Sequence, residues 1–311
     1  MIIAIGAFDG FHKGHMKLLT AARDIARDGD WGVVTFDPHP GVFLGNLKAP
    51  LFTRAEQRAI AKVMGVPRVV TLKFDERLRD LPPSQFWSEL KLRIKDGGSA
   101  LGGVVMGRDF TFGRDASGKT TDIEEYCRED GLLSRVLDLS ISEKSRTRYS
   151  STAARNAVAR GDMHGAAAIL GYPWFITSSV IKGDQRGRKI GFPTANLDLS
   201  ERRLLPPDGV YAAAARVGDR LYPSAVSVGR NPTFGDIDSP RVEAHILDFG
   251  RDIYGEEITV SFIEQVRGII KFDNTGELSE RIAKDAGICR DIFDKEKKDN
   301  NDRYPLPPKL A

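Results

Sequence analysis

The sequence predicts an α/β chain of two domains: a doubly wound parallel sheet first, then an antiparallel β-barrel with a terminal helix. Three observations carry this expectation. Over residues 2–139 short apolar runs alternate with segments of helical spacing, as in a parallel sheet covered on both faces. From Trp174 the texture changes to short strands between Gly/Pro turns, as in a barrel or sandwich. A last helical stretch is expected over 275–293.

A chain of 311 residues has room for two such domains, each with its own core. Hydrophobic residues at 41% and charged residues at 29% fit a globular protein. The formal net charge is +3 and no Lys/Arg block marks a polyanion track, so nucleic acid is not expected as a partner. Cys127 and Cys289 form no disulfide framework, which fits a reducing compartment. No stretch approaches the length of a membrane span and the start carries no signal-peptide pattern, so no membrane association and a cytoplasmic location are expected.

Strands are expected over 2–5, 32–36, 69–72, 103–106 and 134–139, with helices over 16–27, 54–64 and 84–94 between them. Ligands of such sheets bind at the carboxyl ends of the strands. The first strand end carries GAFDGFHKGH, residues 6–15. Gly6 and Gly10 suit a tight turn, and Gly14 suits close approach to a ligand. His12 and His15 are three apart at a helix start, where unpaired N–H groups favour anions. This points to hydrogen-bond donors stabilising phosphoryl or nucleotidyl transfer; a metal pair or two surface histidines are the alternatives.

Later strand ends carry polar loops. DPHPGVF follows the second strand, where Pro38 and Pro40 suggest an extended loop. Phe43 there is either a stacking ring or a hydrophobic plug. GRDFTFGRDASGKT follows the strand over 103–106. Its residues 113–120, GRDASGKT, match the P-loop pattern, but residues 108–112 separate them from the strand, so a P-loop is not expected. Residues 148–171 offer Ser150, Ser151 and Thr152 at a helix N-cap, with Arg155 on the first turn. They serve as simple caps or as a second phosphate clamp. Gly161-Asp162 should break this helix, and Gly171 should end it at the domain boundary.

In the second half, strands are expected over 174–181, 209–216, 222–228, 241–248 and 257–266. KGDQRGRKIGFPTANL, residues 182–197, joins a glycine-rich basic loop to Thr194 and Asn196. Its amides with Arg186, Arg188 or Lys189 suit phosphates, and the two neutral oxygens suit Mg²⁺; a basic hairpin turn is the alternative. Glu243 interrupts an apolar strand and is either a base aimed into the barrel or part of a rim salt bridge. Residues 294–311 are charged and Pro-rich, as in a disordered tail.

The segments GAFDGFHKGH, FDPHP, GRDFTFGRDASG, SSTAAR, LGYPW, KGDQRGRKIGFPTANL, PPDGVYAA, VSVGRNPTFG, VEAHILDF and DIYGEEI stand in one order. In that order the sequence resembles, over residues 1–293, the prokaryotic bifunctional riboflavin kinases/FMN adenylyltransferases, or FAD synthetases. The resemblance implies a nucleotidyltransferase-like domain over 1–171 that joins FMN to the adenylyl group of ATP and releases pyrophosphate. It also implies a flavokinase barrel over 172–293 that phosphorylates riboflavin.

By position, His12, His15 and Arg155 would act on the ATP phosphates, with Gly6, Phe8, Asp9, Gly14, Ser151 and Thr152 around them. Phe43, Asp109 and Phe112 would face the flavin. In the barrel, Gly183, Arg188 and Gly191 would cradle phosphates, Thr194 and Asn196 would hold Mg²⁺ with ATP, and Glu243 would be the base. The implied partners are ATP, riboflavin and FMN, with FMN as intermediate and FAD as product, in a monomer or weak homo-oligomer. The sequence departs from the family in a loop one residue shorter before Phe43, in Ser178 where glycine is usual, and in Lys182 where histidine is common. An enzyme active in one half only, or a flavin-binding regulatory protein without turnover, are the competing readings.

Overall fold

The computed structural model of the chain describes residues 1–139, 149–183, 186–230 and 240–299. The chain forms two compact units, Met1–Ser151 and a second that begins at Thr152.

The first unit runs β1 (Ile2–Ile5), α1 (Lys13–Ala26), β2 (Trp31–Asp37), α2 (Pro40–Phe43), α3 (Arg54–Val63), β3 (Val69–Lys73), α4 (Glu76–Arg79) and α5 (Pro83–Asp96). It continues through β4 (Gly103–Gly107), the hairpin β5 (Thr111–Phe112) and β6 (Gly118–Lys119), α6 (Thr120–Glu129) and β7 (Leu133–Leu137). Five parallel strands lie in the order β3-β2-β1-β4-β7. The chain steps outward from β1 in one direction and then from β4 in the other, so the crevice beyond the carboxyl ends of these two strands is the switch point of the sheet.

Apolar runs make the inner strands β1, β2 and β4 because both their faces are covered, while the edge strands β3 and β7 stay partly exposed. Ile3, Ile5, Val34, Val104 and Met106 are buried against Phe86, Trp87, Leu90 and Ile94 of α5 and Ile123 and Cys127 of α6. Each such side chain contributes about 1.5–3 kcal/mol. α3 begins with a capping box: Thr53 Oγ1 accepts from Glu56 N, and Glu56 Oε2 accepts from Thr53 N.

Three local features differ from expectation. Residues 40–43 form the short helix α2 rather than an extended loop, because His39 Nδ1 caps it by accepting from Gly41 N and Pro40 suits the first helical position. α1 starts at Lys13, so His12 is its N-cap rather than a member of the helix. GRDASGKT folds as the turn and second strand of the β5–β6 hairpin and the first residue of α6, a helix without a strong apolar stripe in sequence. Lys119 Nζ donates to Ala116 O in this hairpin, so the lysine is engaged locally, as expected of a motif that is not a P-loop.

The second unit carries α7 (Ser151–Ala159), whose first residue closes the first unit, and α8 (Met163–Leu170). The barrel elements follow: β8 (Phe175–Ile181), α9 (Arg186–Lys189), β9 (Ala195–Leu197), β10 (Gly209–Val217), β11 (Arg220–Arg230), β12 (Pro240–Ile246), β13 (Glu257–Arg267) and α10 (Thr275–Asp299). The six strands close in the order β10-β11-β12-β9-β8-β13, antiparallel throughout. The helix break falls where expected: Asp162 caps α8 by accepting from Gly165 N, and Gly171 ends it at φ 93°.

α10 packs Cys289 and Phe293 onto Ala212, Ala214 and Ile263 of the barrel wall. Asp285, 2% exposed, accepts from Arg267 Nε at 2.8 Å and Arg281 Nε at 2.9 Å. The helix runs to Asp299, not Phe293, because the charged residues 294–299 are helix formers that need no burial. The rest of the expected tail, residues 300–311, and residues 231–239, which include the last five of VSVGRNPTFG, lie outside the described residues.

Candidate functional site

The turn after β1 builds the first site. Its backbone enters the left-handed region at Phe8 (φ 47°), Gly10 (φ 89°) and Phe11 (φ 38°), while Gly6 stays outside that region. The added Cβ at Gly6 would meet only ordinary contacts of 3.6–3.8 Å, so tight turning is not the reason for that glycine. Gly14 is needed for protein packing rather than for a ligand: a Cβ would lie 3.0 Å from the His12 ring and 3.2 Å from Tyr149 O. Gly6 N–H is held by Val34 O at 3.1 Å, and Thr35 Oγ1 donates to Ala7 O at 3.1 Å.

His12, 4% exposed, accepts the His15 N–H through Nδ1 at 3.3 Å, which leaves the ring proton on Nε2. The two imidazoles stack at 3.7 Å between centroids and 20° between planes. Phe8 is fully buried and packs on His15 at 5.0 Å and on Phe11 at 5.1 Å, so it braces the His15 ring instead of reaching into open space for a nucleotide. His15 Nδ1 is buried without a hydrogen-bond partner among the described residues. Burial, and then the neighbouring His12, hold the His15 pKa well below its ordinary 6.5.

Beside His15 a cavity of about 160 Å³ opens at the switch point, lined by Gly6 after β1, by Arg108, Asp109 and Phe110 after β4, and by Asp138 after β7. Asp109 is exposed on its rim, as suits a ligand contact. Phe112 does not face it. At 5% exposure it is core, packed on Phe86 at 5.0 Å, with Gly118 leaving room for its ring. Phe110, stacked on Phe112 at 5.9 Å, takes the place expected of Phe112 at the cavity, and no sequence signal separates the two rings, since residues two apart share the same strand parity. Phe43 meets Phe74 edge to face at 5.4 Å and stays half-buried, so it packs on a protein ring. Asp9 is buried with Oδ1 on Leu51 N at 3.0 Å.

Ser151 Oγ donates to Asp9 O at 2.7 Å, which engages a hydroxyl expected at the helix cap. Thr152 and Arg155 follow on the first turn of α7, where Arg155 Nη2 donates to Thr152 Oγ1 at 3.1 Å.

The second site lies on the barrel. Asn196 of β9 stands directly opposite Glu243 of β12, and Thr194 is two residues before Asn196, so the three side chains share one face. Thr194 Oγ1 donates to Glu243 Oε2 at 3.4 Å. Val242, Ala244 and Ile246 are buried and Glu243 and His245 half-buried, so Glu243 is on the face of β12 away from the core. The strand's period of two, not its apolar composition, decides this, and the carboxylate is not aimed into the barrel.

A cavity of about 270 Å³ is lined by Gly183, Arg188, Thr194 and Asn196 on one side and by Phe249, Arg251 and Tyr254 on the other. The last three were not singled out in sequence, although Phe249 ends the VEAHILDF segment, Arg251 precedes DIYGEEI and Tyr254 lies within it. Gly183 carries Asn196 against its backbone: a Cβ there would lie 2.5 Å from the amide group. Gly191 has φ 87°. Ser178 is buried and donates to Asp198 O at 2.6 Å, and Lys182 Nζ lies 6.0 Å over the Tyr254 ring. The side chains of Arg186 and Lys189 lie outside the described residues.

A parallel sheet with paired histidines at its switch point, followed by an antiparallel barrel presenting Thr, Asn and Glu on one face, defines a two-unit protein of phosphate and nucleotide chemistry. Comparison with known proteins narrows this class. The FAD synthetase family model matches residues 1–153 and the riboflavin kinase model matches residues 170–293. The chain is 35% identical to the bifunctional riboflavin kinase/FMN adenylyltransferase of Listeria monocytogenes over 94% of this chain and 93% of that one. It is 34% identical to the Bacillus subtilis enzyme of the same name, over 91% and 90%.

A solved structure titled a macrolide-efflux protein, from Streptococcus pneumoniae, shares the fold with a TM-score of 0.81 and 31% identity over 93% of both chains. Among the described residues no helix is long and apolar enough to cross a membrane. The chain belongs to the bifunctional riboflavin kinase/FMN adenylyltransferase family.

Proposed function

We propose that the chain makes FAD in two ATP-dependent steps: the barrel unit phosphorylates riboflavin to FMN, and the sheet unit adenylylates FMN with release of pyrophosphate. The observation that carries the reading is the coexistence of both sites in one chain: the stacked His12–His15 pair at the switch point and the Thr194–Asn196–Glu243 face on the barrel. Functionally the division falls at Gly171, with residues 1–171 serving adenylyl transfer and 172–293 phosphorylation.

In the first step a riboflavin hydroxyl attacks the γ-phosphorus of ATP, its proton passes to Glu243, and ADP leaves. In the second, a phosphate oxygen of FMN attacks the α-phosphorus, and pyrophosphate leaves. The amino end of α1 attracts the phosphates, and His12 Nε2–H and His15 donate to the charge that develops on their oxygens. Arg155 and Thr152 bind phosphate from the first turn of α7, Ser151 holds the histidine turn through Asp9 O, and Asp109 stands on the flavin side.

At the barrel Thr194 and Asn196 offer neutral oxygens, and among the described residues no cluster of three His, Cys, Asp or Glu side chains could hold a metal by itself. This donor set fits Mg²⁺, which keeps waters and phosphate oxygens in its shell. Bound there, the ion would neutralise charge on the phosphates. Thr194 directs its proton to Glu243 and so keeps its lone pairs for a cation. The protein works as a cytoplasmic monomer or weak homo-oligomer.

Incubation with riboflavin, ATP and Mg²⁺, with flavins resolved by chromatography, tests the reading. FMN and then FAD are expected. FMN without FAD would leave a one-site enzyme, and tight riboflavin binding without turnover would leave a regulatory protein. His15→Ala should cost about a hundredfold or more in FAD formation and spare FMN formation, and Asn196→Ala or Glu243→Ala should do the reverse.

A further inference from the structure

We propose that Asp9 is a positioning residue for adenylyl transfer, acting as a buried strut that fixes the histidine turn, and not a ligand of the nucleotide or its metal. Asp9 has no exposed surface. Its carboxylate accepts the Leu51 N–H at 3.0 Å, across 42 residues of chain, and its carbonyl accepts from Ser151 Oγ at 2.7 Å, across 142 residues. Leu51 and Phe52 are themselves fully packed, so the first bond anchors the turn to a fixed point. The second anchors it to the start of α7, which carries Thr152 and Arg155.

The turn needs such anchors. Phe8 and Phe11 hold left-handed backbone without being glycine, at about 1–3 kcal/mol each, and such geometry persists only where its surroundings over-determine it. Asp9 stands directly after Phe8 and three residues before His12, so any loosening at Asp9 is transmitted to the imidazoles. A carboxylate enclosed in this way has no face left for phosphate or metal. The segment that supplies Leu51 follows Phe43, so the strut ties the histidines to the loop on the flavin side as well. The inference rests on the adenylyl-transfer reading for its activity arm only.

The test uses the full chain with Asp9→Asn, which keeps an oxygen acceptor for Leu51 N–H, and Asp9→Ala, which does not. Asp9→Ala should lower kcat for FAD formation by about tenfold or more, since small misplacement of reacting groups is costly, with riboflavin phosphorylation unchanged as the folding control. Asp9→Asn should stay within about threefold of the parent, the difference between a charged and a neutral acceptor. The Mg²⁺ concentration for half-maximal rate should be the same in all three. In hydrogen exchange, the Leu51 amide should open faster in Asp9→Ala and remain protected in Asp9→Asn.

An Asn variant as inactive as the Ala variant, a raised Mg²⁺ requirement, or unchanged exchange at Leu51 in Asp9→Ala would each overturn the proposal. Absence of FAD formation by the parent chain is a separate result that refutes the adenylyl-transfer reading, and the exchange measurement then still decides whether Asp9 is the strut.

Discussion

His12 and His15 stack with ring centroids 3.7 Å apart while the first accepts the backbone N–H of the second, so the two rings share one volume and one cap. Two charges cannot both reside there cheaply, and His15, desolvated and beside His12, is kept neutral. Between the lowered folded pKa of His15 and its ordinary 6.5, the unfolded chain binds the extra proton. The stability contribution is therefore full above the ordinary value and falls as pH drops toward the folded one. His15→Gln should flatten this acid-side loss, read as the thermal midpoint of the sheet unit from about pH 5 to 7. FAD formation should show no inflection from His15 near its ordinary pKa.

Gly14→Ala tests how tightly the cap is packed. The new methyl would press on the His12 ring at 3.0 Å and on Tyr149 O at 3.2 Å. Overpacking of this kind costs about 1–3 kcal/mol, and the displaced ring should slow FAD formation by about tenfold or more without touching riboflavin phosphorylation. Steady-state kinetics of both reactions on one preparation provide the check.

The barrel site has its counterpart in Gly183→Ala. A Cβ 2.5 Å from the Asn196 amide forces that side chain off its place opposite Glu243. Riboflavin phosphorylation should fall by about tenfold or more, mainly in kcat, while added FMN is still converted to FAD.

Asp285 fastens α10 to β13 through Arg267 and Arg281. Asp285→Ala would strand two guanidinium groups in a nearly closed site and should destabilise the barrel unit by about 3–5 kcal/mol. Denaturant unfolding with a probe in the second unit would register it as a lowered midpoint.

Both thiols should be inert in the folded chain. Burial raises Cys127 to about 11 and Cys289 to about 12. Iodoacetamide at neutral pH should label neither until denaturant is added, as mass spectrometry of the intact chain will show.

Much of the framework was legible because β1, β2 and β4, buried on both faces, read as unbroken apolar runs, while the partly exposed edge strands β3 and β7 still lie within a residue or two of their expected places. β9 escaped because its three residues sit inside GFPTANL, where Pro193 and Thr194 hide a strand held by cross-strand pairing. The site was legible as residue types and not as directions. Asp9 and Phe8 carry nucleotide-site letters, yet burial turns both toward the protein. Glu243 belongs to an apolar strand, yet alternation turns it outward. Phe112 and Phe110 are indistinguishable by type and by strand parity, and only the packing of Phe112 on Phe86 against the opening of Phe110 to the cavity separates them.

The left-handed backbone at Phe8 and Phe11 also bears on how this protein would respond to selection for heat resistance. Glycine at either position would release about 1–3 kcal/mol of torsional strain, but it would also remove a buried ring that braces His15, at about 3–5 kcal/mol. Burial outweighs strain, so stability and turnover favour the same two phenylalanines. A screen that rewarded survival of heating alone would be expected to retain both rings and, with them, the strained turn that holds His15.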